Sequence, residues 1–189
     1  MPQPPILPTI DWRRIFESGK GYESWLAGGE SRPNCDRMEA LRQELTPERK
    51  VVKFLHALER PVHVVAIAED WCGDVVRHVP VLQRLADAAP SLKVRFITRE
   101  QHPDVFVRFL TNGAEAIPKF IFLNDAFVEC GNWGPMPEKC RELIARGKAC
   151  GDLAAARMKV SALYEADSDL RVVISELVHL IDIASCAEP

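Results

Sequence analysis

The run Val62–Ala68 restricts the fold of this chain more than any other segment. It is apolar apart from one histidine, which is typical of a strand buried inside a sheet. A short polar segment, Glu69–Asp74, follows it, and a helical pattern then extends over residues 73–89. The sequence therefore predicts a strand that turns directly into a helix, with Cys72 at the junction. Free backbone N–H groups and the helix dipole favour a thiolate at such a place.

The segments after this helix predict the rest of a sheet. Residues 92–97 alternate as a second strand, residues 105–110 form a short helix, and residues 120–123 form a third strand. Residues 127–130 return as its hairpin partner, and residues 131–135 form a loop. A helical crossover joins the first two strands, so they should be parallel. We expect an α/β fold in which a mixed sheet of about four strands carries helices on both faces.

Helical patterns occupy both ends of the chain. Before the sheet they cover residues 9–28, 34–45 and 47–59. Thr46 and Pro47 are expected to be the N-cap and first residue of the third.

After the sheet, a helix is expected to begin near Pro137 and either to continue or to restart after Gly147 or Gly151. Asp167 and Ser168 should cap a final helix. We expect these segments to form one structural domain. Its parts are an N-terminal helical extension over residues 1–60, a core over 61–137 and C-terminal helices over 138–189.

Composition and charge exclude several classes of protein. The net charge is −3 and the basic residues are scattered, so we expect no nucleic-acid partner. The apolar fraction of 47% is ordinary for a globular protein, and no apolar stretch reaches the roughly 18 residues of a membrane span. The start, Met1–Pro5, is rich in proline and lacks the pattern of a secretory signal.

The cysteines indicate thiols rather than disulfides or metal ligands. There are six, and none forms a C-x-x-C pair or a zinc-knuckle spacing, so we expect neither metal nor cofactor. A chain of 189 residues does not need disulfide staples, which favours a reducing cytoplasm. The sequence gives no indication of the oligomeric state. The positions are Cys35, Cys72, Cys130, Cys140, Cys150 and Cys186.

The residues around Cys72 resemble the thioredoxin superfamily. Trp71-Cys72-Gly73 is similar to its active-site turn, and Pro80 to the proline inside its active-site helix. Ile117-Pro118 is similar to the cis-proline loop that lies beside the reactive sulfur. The resemblance extends over residues 62–137 and implies a thioredoxin-like fold. Four segments resemble, more narrowly, a bacterial thioredoxin-like subfamily that usually carries W-C-G-D-C: Asp70–Asp74, Thr111–Gly113, Ile117–Lys119 and Trp133–Pro135.

Two residues depart from the pattern of that family. Val75 stands where the second active-site cysteine is expected, and Ala66 stands where thioredoxin carries a buried acid. In the family this acid is thought to handle the proton of the second cysteine. Because a buried carboxylate without a task is costly, the two losses are physically consistent. They imply that dithiol chemistry is not available at this turn.

The resemblance implies that Cys72 is the catalytic nucleophile of a monothiol protein. It would exchange with protein or low-molecular-weight disulfides, and an external thiol would resolve the mixed disulfide. Cys130 is the best candidate for a resolving cysteine within the chain. The residues expected to bind the substrate are Trp71, Gly73, Asp74, Val75, Ile117, Pro118 and Trp133. The first-turn position of Asp74 favours a solvent-exposed carboxylate over a proton handler, and Trp133 could equally fill a core or cap position.

The sequence leaves two other functions open. The same groove could bind a peptide or protein partner without any turnover. Alternatively, the chain could handle glutathione or an iron–sulfur cluster, as monothiol glutaredoxins do. Their C-G-F-S turn shares Cys72 and Gly73 but not Asp74-Val75, which argues against this alternative. No histidine forms a convincing pair with Cys72, so a protease-like nucleophile is not expected.

Overall fold

The computed structural model describes residues 9–187, and these residues form a single mixed sheet packed between helices. The order of the strands across the sheet is β2-β1-β3-β4. β1 is parallel to β2 and antiparallel to β3, and β4 is antiparallel to β3. The predicted α/β class and the predicted parallel first pair are confirmed. The strands are β1 (Val62–Ile67), β2 (Leu92–Ile97), β3 (Lys119–Leu123) and β4 (Glu129–Trp133).

Helices precede, connect and follow the strands. Four lie before β1: α1 (Trp12–Ser18), α2 (Tyr22–Ala27), α3 (Arg32–Glu44) and α4 (Arg49–His56). Between the strands lie α5 (Gly73–Asp87) and α6 (Pro103–Phe106), the latter followed by a 3-10 turn over Val107–Phe109. After β4 come α7 (Glu138–Cys150), α8 (Leu153–Ala166) and α9 (Arg171–Ser185).

Helices cover both faces of the sheet. Alternate residues of each strand point to opposite faces, so each strand packs against helices on both sides. On one face the ring of Phe16 from α1 contacts His63 of β1 at a centroid distance of 5.0 Å. On the other face His78 of α5 contacts Trp133, which in turn stacks on Phe120 of β3. Helix α9 packs on that second face beside β4, closely enough that a side chain at Gly131 would meet Leu180.

The hairpin β3–β4 begins later than the sequence predicts. Asn124 Oδ1 accepts hydrogen bonds from the N–H groups of Ala126 and Val128, which holds a longer turn. The return strand therefore starts at Glu129 and continues to Trp133, through residues that were expected to be a loop. A side chain that bonds to its own local backbone competes with the strand ladder, and the sequence pattern did not reveal this.

One predicted helix start is wrong, and one of the predicted helix breaks is present. α4 begins at Arg49 with Glu48 as its N-cap, so the prediction of Thr46 and Pro47 at its start is wrong. Gly151 adopts a left-handed conformation, φ 76°, which ends α7 and separates it from α8. The carboxylate of Asp167 accepts hydrogen bonds from the first two N–H groups of α9, as expected for a capping side chain. The N-cap position itself is Leu170, and Ser168 bonds to Asp169 instead of the helix, so that part of the prediction is wrong.

None of the helices within residues 9–187 has both the length and the apolar composition needed to cross a membrane. The Pro-rich start, on which the expectation of no secretory signal rests, lies outside the described residues.

Helix α9 should contribute strongly to stability through Leu177, whose side chain is fully buried. Replacing Leu177 by Ala is expected to lower the free energy of unfolding by about 2–5 kcal/mol, because the transfer of the side chain is lost and a cavity remains. Urea unfolding followed by circular dichroism measures this. Val172→Ala, on an exposed part of the same helix, is the matched control and should change stability by less than about 0.5 kcal/mol. Equal effects of the two variants would contradict this packing.

Candidate functional site

The site lies at one end of the sheet, where β1 ends and β3 begins. Ile67, the last residue of β1, pairs with Lys119, the first residue of β3. The turn after β1 carries Cys72 as the N-cap of α5, and the Ile117–Pro118 peptide bond, which is cis, immediately precedes β3. The Cys72 thiol donates a hydrogen bond to the carbonyl oxygen of Ile117, with Sγ and O 3.4 Å apart. The fold therefore brings the lone thiol to this loop.

A groove of about 300 Å³ opens beside the thiol. Trp71, Cys72, Asp74 and Ile117 line it, so four of the predicted site residues share one cavity. Its size lies at the lower end of the range for small-molecule sites. Trp71 is 55% exposed, whereas Cys72 is only partly exposed.

Two predicted binding residues do not face this groove. Val75 is fully buried, because one turn along α5 its side chain points into the core. Trp133 is also buried, stacks on Phe120 at 5.3 Å and donates its Nε1–H to the Glu176 carboxylate. Both residues pack the core, and neither can contact a substrate in this arrangement.

Gly73 and Pro118 occupy the remaining predicted positions. Gly73 is exposed at the first turn of α5, and apart from its chain neighbours and its own helix no atom lies within 4 Å of where its side chain would begin. Pro118 is buried and does not line the groove. It follows Ile117, whose carbonyl oxygen accepts the hydrogen bond from Cys72.

Cys130 lies at the opposite end of the sheet. It follows Glu129, which pairs with Leu123, the last residue of β3. Since a strand rises about 3.3 Å per residue, the six steps from Ile117 to Leu123 correspond to roughly 20 Å. A disulfide requires Cα atoms within about 7 Å, so Cys130 cannot resolve a mixed disulfide at Cys72 within this fold. This corrects the expectation of an internal resolving partner.

The pKa of the Cys72 thiol is raised above its ordinary value. Burial is the main cause; hydrogen bonds from the backbone N–H groups of Val75 and Asp74 oppose it, and the charges of Asp74 and Glu69 add to it. The helix N-terminus therefore does not produce the thiolate that the strand–helix turn favours. At neutral pH Cys72 is mostly protonated, which slows its attack on a disulfide.

Asp74 is half-buried and ties α5 to α8. Its Oδ1 accepts a hydrogen bond from the Tyr164 hydroxyl at 2.9 Å. Arg77 lies over the Tyr164 ring and donates to the backbone carbonyls of Tyr164 and Asp167. Burial raises the pKa of Asp74, while Tyr164 and Arg77 lower it. The solvent-exposed carboxylate that the sequence favoured is thus a partly desolvated group fixed beside Cys72.

The other acids of the turn hold its surroundings in place. Asp70 accepts the N–H of Ser31 at the start of α3, and its own carbonyl accepts from Asn34. Glu69 forms an ion pair with Arg99, whose guanidinium lies 5.3 Å from the centroid of the Trp71 ring. The partners of these acids lie far away along the chain.

Two further polar residues near the site are buried. Lys119 donates to the carbonyl of Gly134 at 2.8 Å, and burial, with the charge of Arg141, lowers its pKa to about 8. His78 lies 3.2 Å from the carbonyl oxygen of Pro135, and burial lowers its pKa to about 3. The hydrogen-bond partners of both side chains are therefore in the loop before α7 and not at the thiol.

Sequence reasoning missed the far wall of the groove. α7 contributes Arg141, Ile144 and Lys148, and the loop before it contributes Met136. The spacing of the three α7 residues at i, i+3 and i+7 places them on one helix face, so a signal existed. Only the tertiary structure shows that this face meets Cys72. Among residues 9–187, no cluster of three or more potential ligands could hold a metal ion.

The raised pKa of Cys72 predicts how the reactivity of its thiol depends on pH. The rate of its alkylation by iodoacetamide should rise with a midpoint above the value near 8.5 of an ordinary cysteine. Asp74→Asn should lower this midpoint, because it removes a charge that raises the pKa. Peptide mass spectrometry across pH measures the modification at Cys72. Glu165→Gln, at an exposed acid of α8, is the control. A midpoint well below 8.5 in the unmodified chain would contradict the described environment.

The lowered pKa of His78 predicts that the folded protein loses stability in acid. Its folded pKa of about 3 lies below the unfolded value near 6.5, so the unfolded chain binds the extra proton between these pH values. Stability should therefore fall as the pH drops below about 6.5, by up to about 1.4 kcal/mol per pH unit. His78→Gln should flatten the profile of the unfolding free energy in this window. The control His179→Gln, at an exposed position, should follow the parent. Parallel profiles for the parent and His78→Gln would refute this assignment.

Comparisons with known proteins agree with this fold. A family model described as Thioredoxin matches residues 26–156. No curated protein matches the chain. The fold is similar to a crystal structure of a protein of unknown function from Pseudomonas aeruginosa, with 18% identity and a TM-score of 0.71 over 92% of this chain and 98% of that one. It is also similar to an HIV epitope scaffold, with 16% identity and a TM-score of 0.70 over the same shares. With its family match, four-stranded sheet and thiol at the β1–α5 turn, the chain belongs to the thioredoxin family.

Proposed function

We propose that this protein carries out monothiol thiol–disulfide exchange through Cys72, with an external thiol as the resolving partner. The observation that carries the proposal is the position of the Cys72 sulfur, partly exposed at a groove and 3.4 Å from the Ile117 carbonyl oxygen. A disulfide that enters the groove can approach this sulfur. The W-C-G-D-V turn is, in this proposal, a monothiol variant of a bacterial W-C-G-D-C site.

The proposed reaction has two exchange steps. Cys72 loses its proton to solvent, and the thiolate attacks one sulfur of the substrate disulfide. The substrate S–S bond breaks, a mixed disulfide forms at Cys72, and the second substrate sulfur leaves as a thiolate. An external thiol then attacks the substrate sulfur of the mixed disulfide and releases Cys72. The external thiol supplies the electrons, so Cys72 is unchanged after both steps.

Val75 and Cys130 support the need for an external thiol. Val75 occupies the position from which a second cysteine would attack, and it is buried and unreactive. Cys130 lies at the far end of the sheet. Since all six cysteines are free thiols, the chain is suited to a reducing compartment, and we propose the cytoplasm as the source of the external thiol.

A second function is a binding module without turnover. The raised pKa of Cys72 favours this alternative, because a protonated thiol is a poor nucleophile. Trp71 offers an exposed aromatic surface at the rim of the groove, which suits a peptide or protein partner. The two functions differ in one property, since only exchange requires the sulfur of Cys72.

Trapping the mixed disulfide tests the proposal. The chain with Cys150→Ser and Cys186→Ser lacks its two exposed thiols and is incubated with oxidised glutathione. One glutathione adduct is expected at Cys72 by peptide mass spectrometry, because Cys35 and Cys140 are buried. A reducing thiol should remove it.

Two controls separate exchange from binding. Adding Cys72→Ser to the same background should abolish the adduct, whereas adding Cys130→Ser should leave it. If Cys72 forms no adduct, or the adduct persists in the Cys72→Ser chain, the exchange proposal is wrong and the binding function is favoured.

A further inference from the structure

The groove beside Cys72 has an uneven distribution of charge. Glu115 forms an ion pair with Arg99 at 3.4 Å, whereas Asp74, beside the sulfur, forms no ion pair within residues 9–187 and accepts a hydrogen bond from the Tyr164 hydroxyl. Arg141 and Lys148, which line the wall formed by α7, form no ion pair with any residue of the described range 9–187. Two uncompensated cations therefore face the cavity that contains the thiol.

The other cations of α7 are different. Lys139 and Arg146 both pair with Glu142, at 2.7 Å and 2.6 Å, outside the groove. The helix thus neutralises its cations on the solvent side and leaves those at the groove unpaired. Such an arrangement is suited to an anionic group that comes from outside the chain.

The spacing of the two groove cations limits the size of the ligand. Arg141 and Lys148 are two helical turns apart, which is about 10.5 Å along the axis of α7. Arg141 is fixed in place, since its Nη1 donates to the carbonyl of Met136 at 2.8 Å. A cavity of about 300 Å³ accommodates a small molecule.

We propose that the substrate of Cys72 is a low-molecular-weight disulfide that carries carboxylates, with these groups bound by Arg141 and Lys148. This inference rests on the proposed exchange function and names its substrate class. The acids Glu69 and Asp74 lie beside the sulfur, whereas the free cations lie along α7. This gradient orients the ligand with its carboxylates toward α7 and its sulfurs toward Cys72. Arg binds carboxylates through paired N–H donors, which adds geometric specificity.

The first exchange step divides the ligand into two halves. The Cys72 thiolate attacks one sulfur of the ligand, whose S–S bond breaks. One half of the ligand remains as the mixed disulfide, and the other leaves as a thiolate that takes a proton from solvent. The number of disulfide bonds is unchanged in this step.

Three small disulfides that differ in charge test the inference. Dithiodipropionate is anionic, hydroxyethyl disulfide is neutral and cystamine is cationic. The rate of mixed-disulfide formation at Cys72 is measured by acid quenching and peptide mass spectrometry, relative to the exposed Cys186 of the same chain, which corrects for the intrinsic reactivity of each reagent. The expected order is anionic, then neutral, then cationic, and added salt should reduce the differences.

Variants of α7 test which residues cause the preference for the anionic disulfide. Lys148→Gln and Arg141→Gln should each slow the reaction with dithiodipropionate about 1.4- to fivefold, since an exposed ion pair contributes about 0.2–1 kcal/mol. Each should slow the reaction with dithiodipropionate by a larger factor than the reaction with hydroxyethyl disulfide. Arg146→Gln, on the same helix but outside the groove, is the matched control and should leave the preference intact.

The outcomes distinguish this inference from the function on which it rests. Reaction of Cys72 with all three disulfides at equal relative rates would overturn the anionic substrate and leave monothiol exchange standing. A preference that survives both groove variants would also overturn it. If Cys72 reacts with none of the three while Cys186 does, the exchange function itself fails.

Discussion

The antiparallel pairing of β1 with β3 is the constraint on which the site depends. Its register places Ile67 opposite Lys119, so the end of one strand and the start of the other lie at the same edge of the sheet. The turn that carries Cys72 and the loop that carries Ile117 must therefore meet. Val64 pairs with Phe122 and Val65 with Ile121, and all four side chains are fully buried. A shift of one residue would exchange the side chains that pack on the two covered faces, which close packing opposes. Burial of the central strands thus fixes the position of the thiol.

The terminal helices take part in the site rather than only covering the core. Asp70 binds the start of α3, Asp74 is held by Tyr164 of α8, and Glu176 of α9 accepts from Trp133 and from the N–H of Glu138 at the start of α7. α7, fixed in this way, supplies the cationic wall of the groove. The chemistry available to Cys72 therefore depends on segments more than thirty residues away in the sequence.

A thiol at a helix N-terminus is not necessarily activated. Around Cys72 the backbone N–H groups favour the charged form, but burial and the nearby carboxylates outweigh them. Val75 and Ala66, both fully buried, fill with apolar side chains the two positions where dithiol relatives carry polar chemistry. The result is a stable apolar support beneath a single, weakly acidic sulfur. In the proposed exchange, such a sulfur depends on the groove to bind and orient the disulfide, and the cations of α7 are the proposed means.

The sequence by itself determined the strand–turn–helix around Cys72, the alternation of the first three strands and their helices, and the loss of a second sulfur at Val75, because these follow from local periodicity and residue identity. It did not determine that Trp133 would be buried at the end of β4. The start of this strand is delayed because Asn124 Oδ1 accepts hydrogen bonds from the N–H groups of Ala126 and Val128. Nor could the sequence place Cys130 far from Cys72 or bring Arg141 to the groove. Those facts depend on the register of paired strands and on which helix face meets which neighbour. Both are decided by long-range packing, of which a single sequence carries no direct signal.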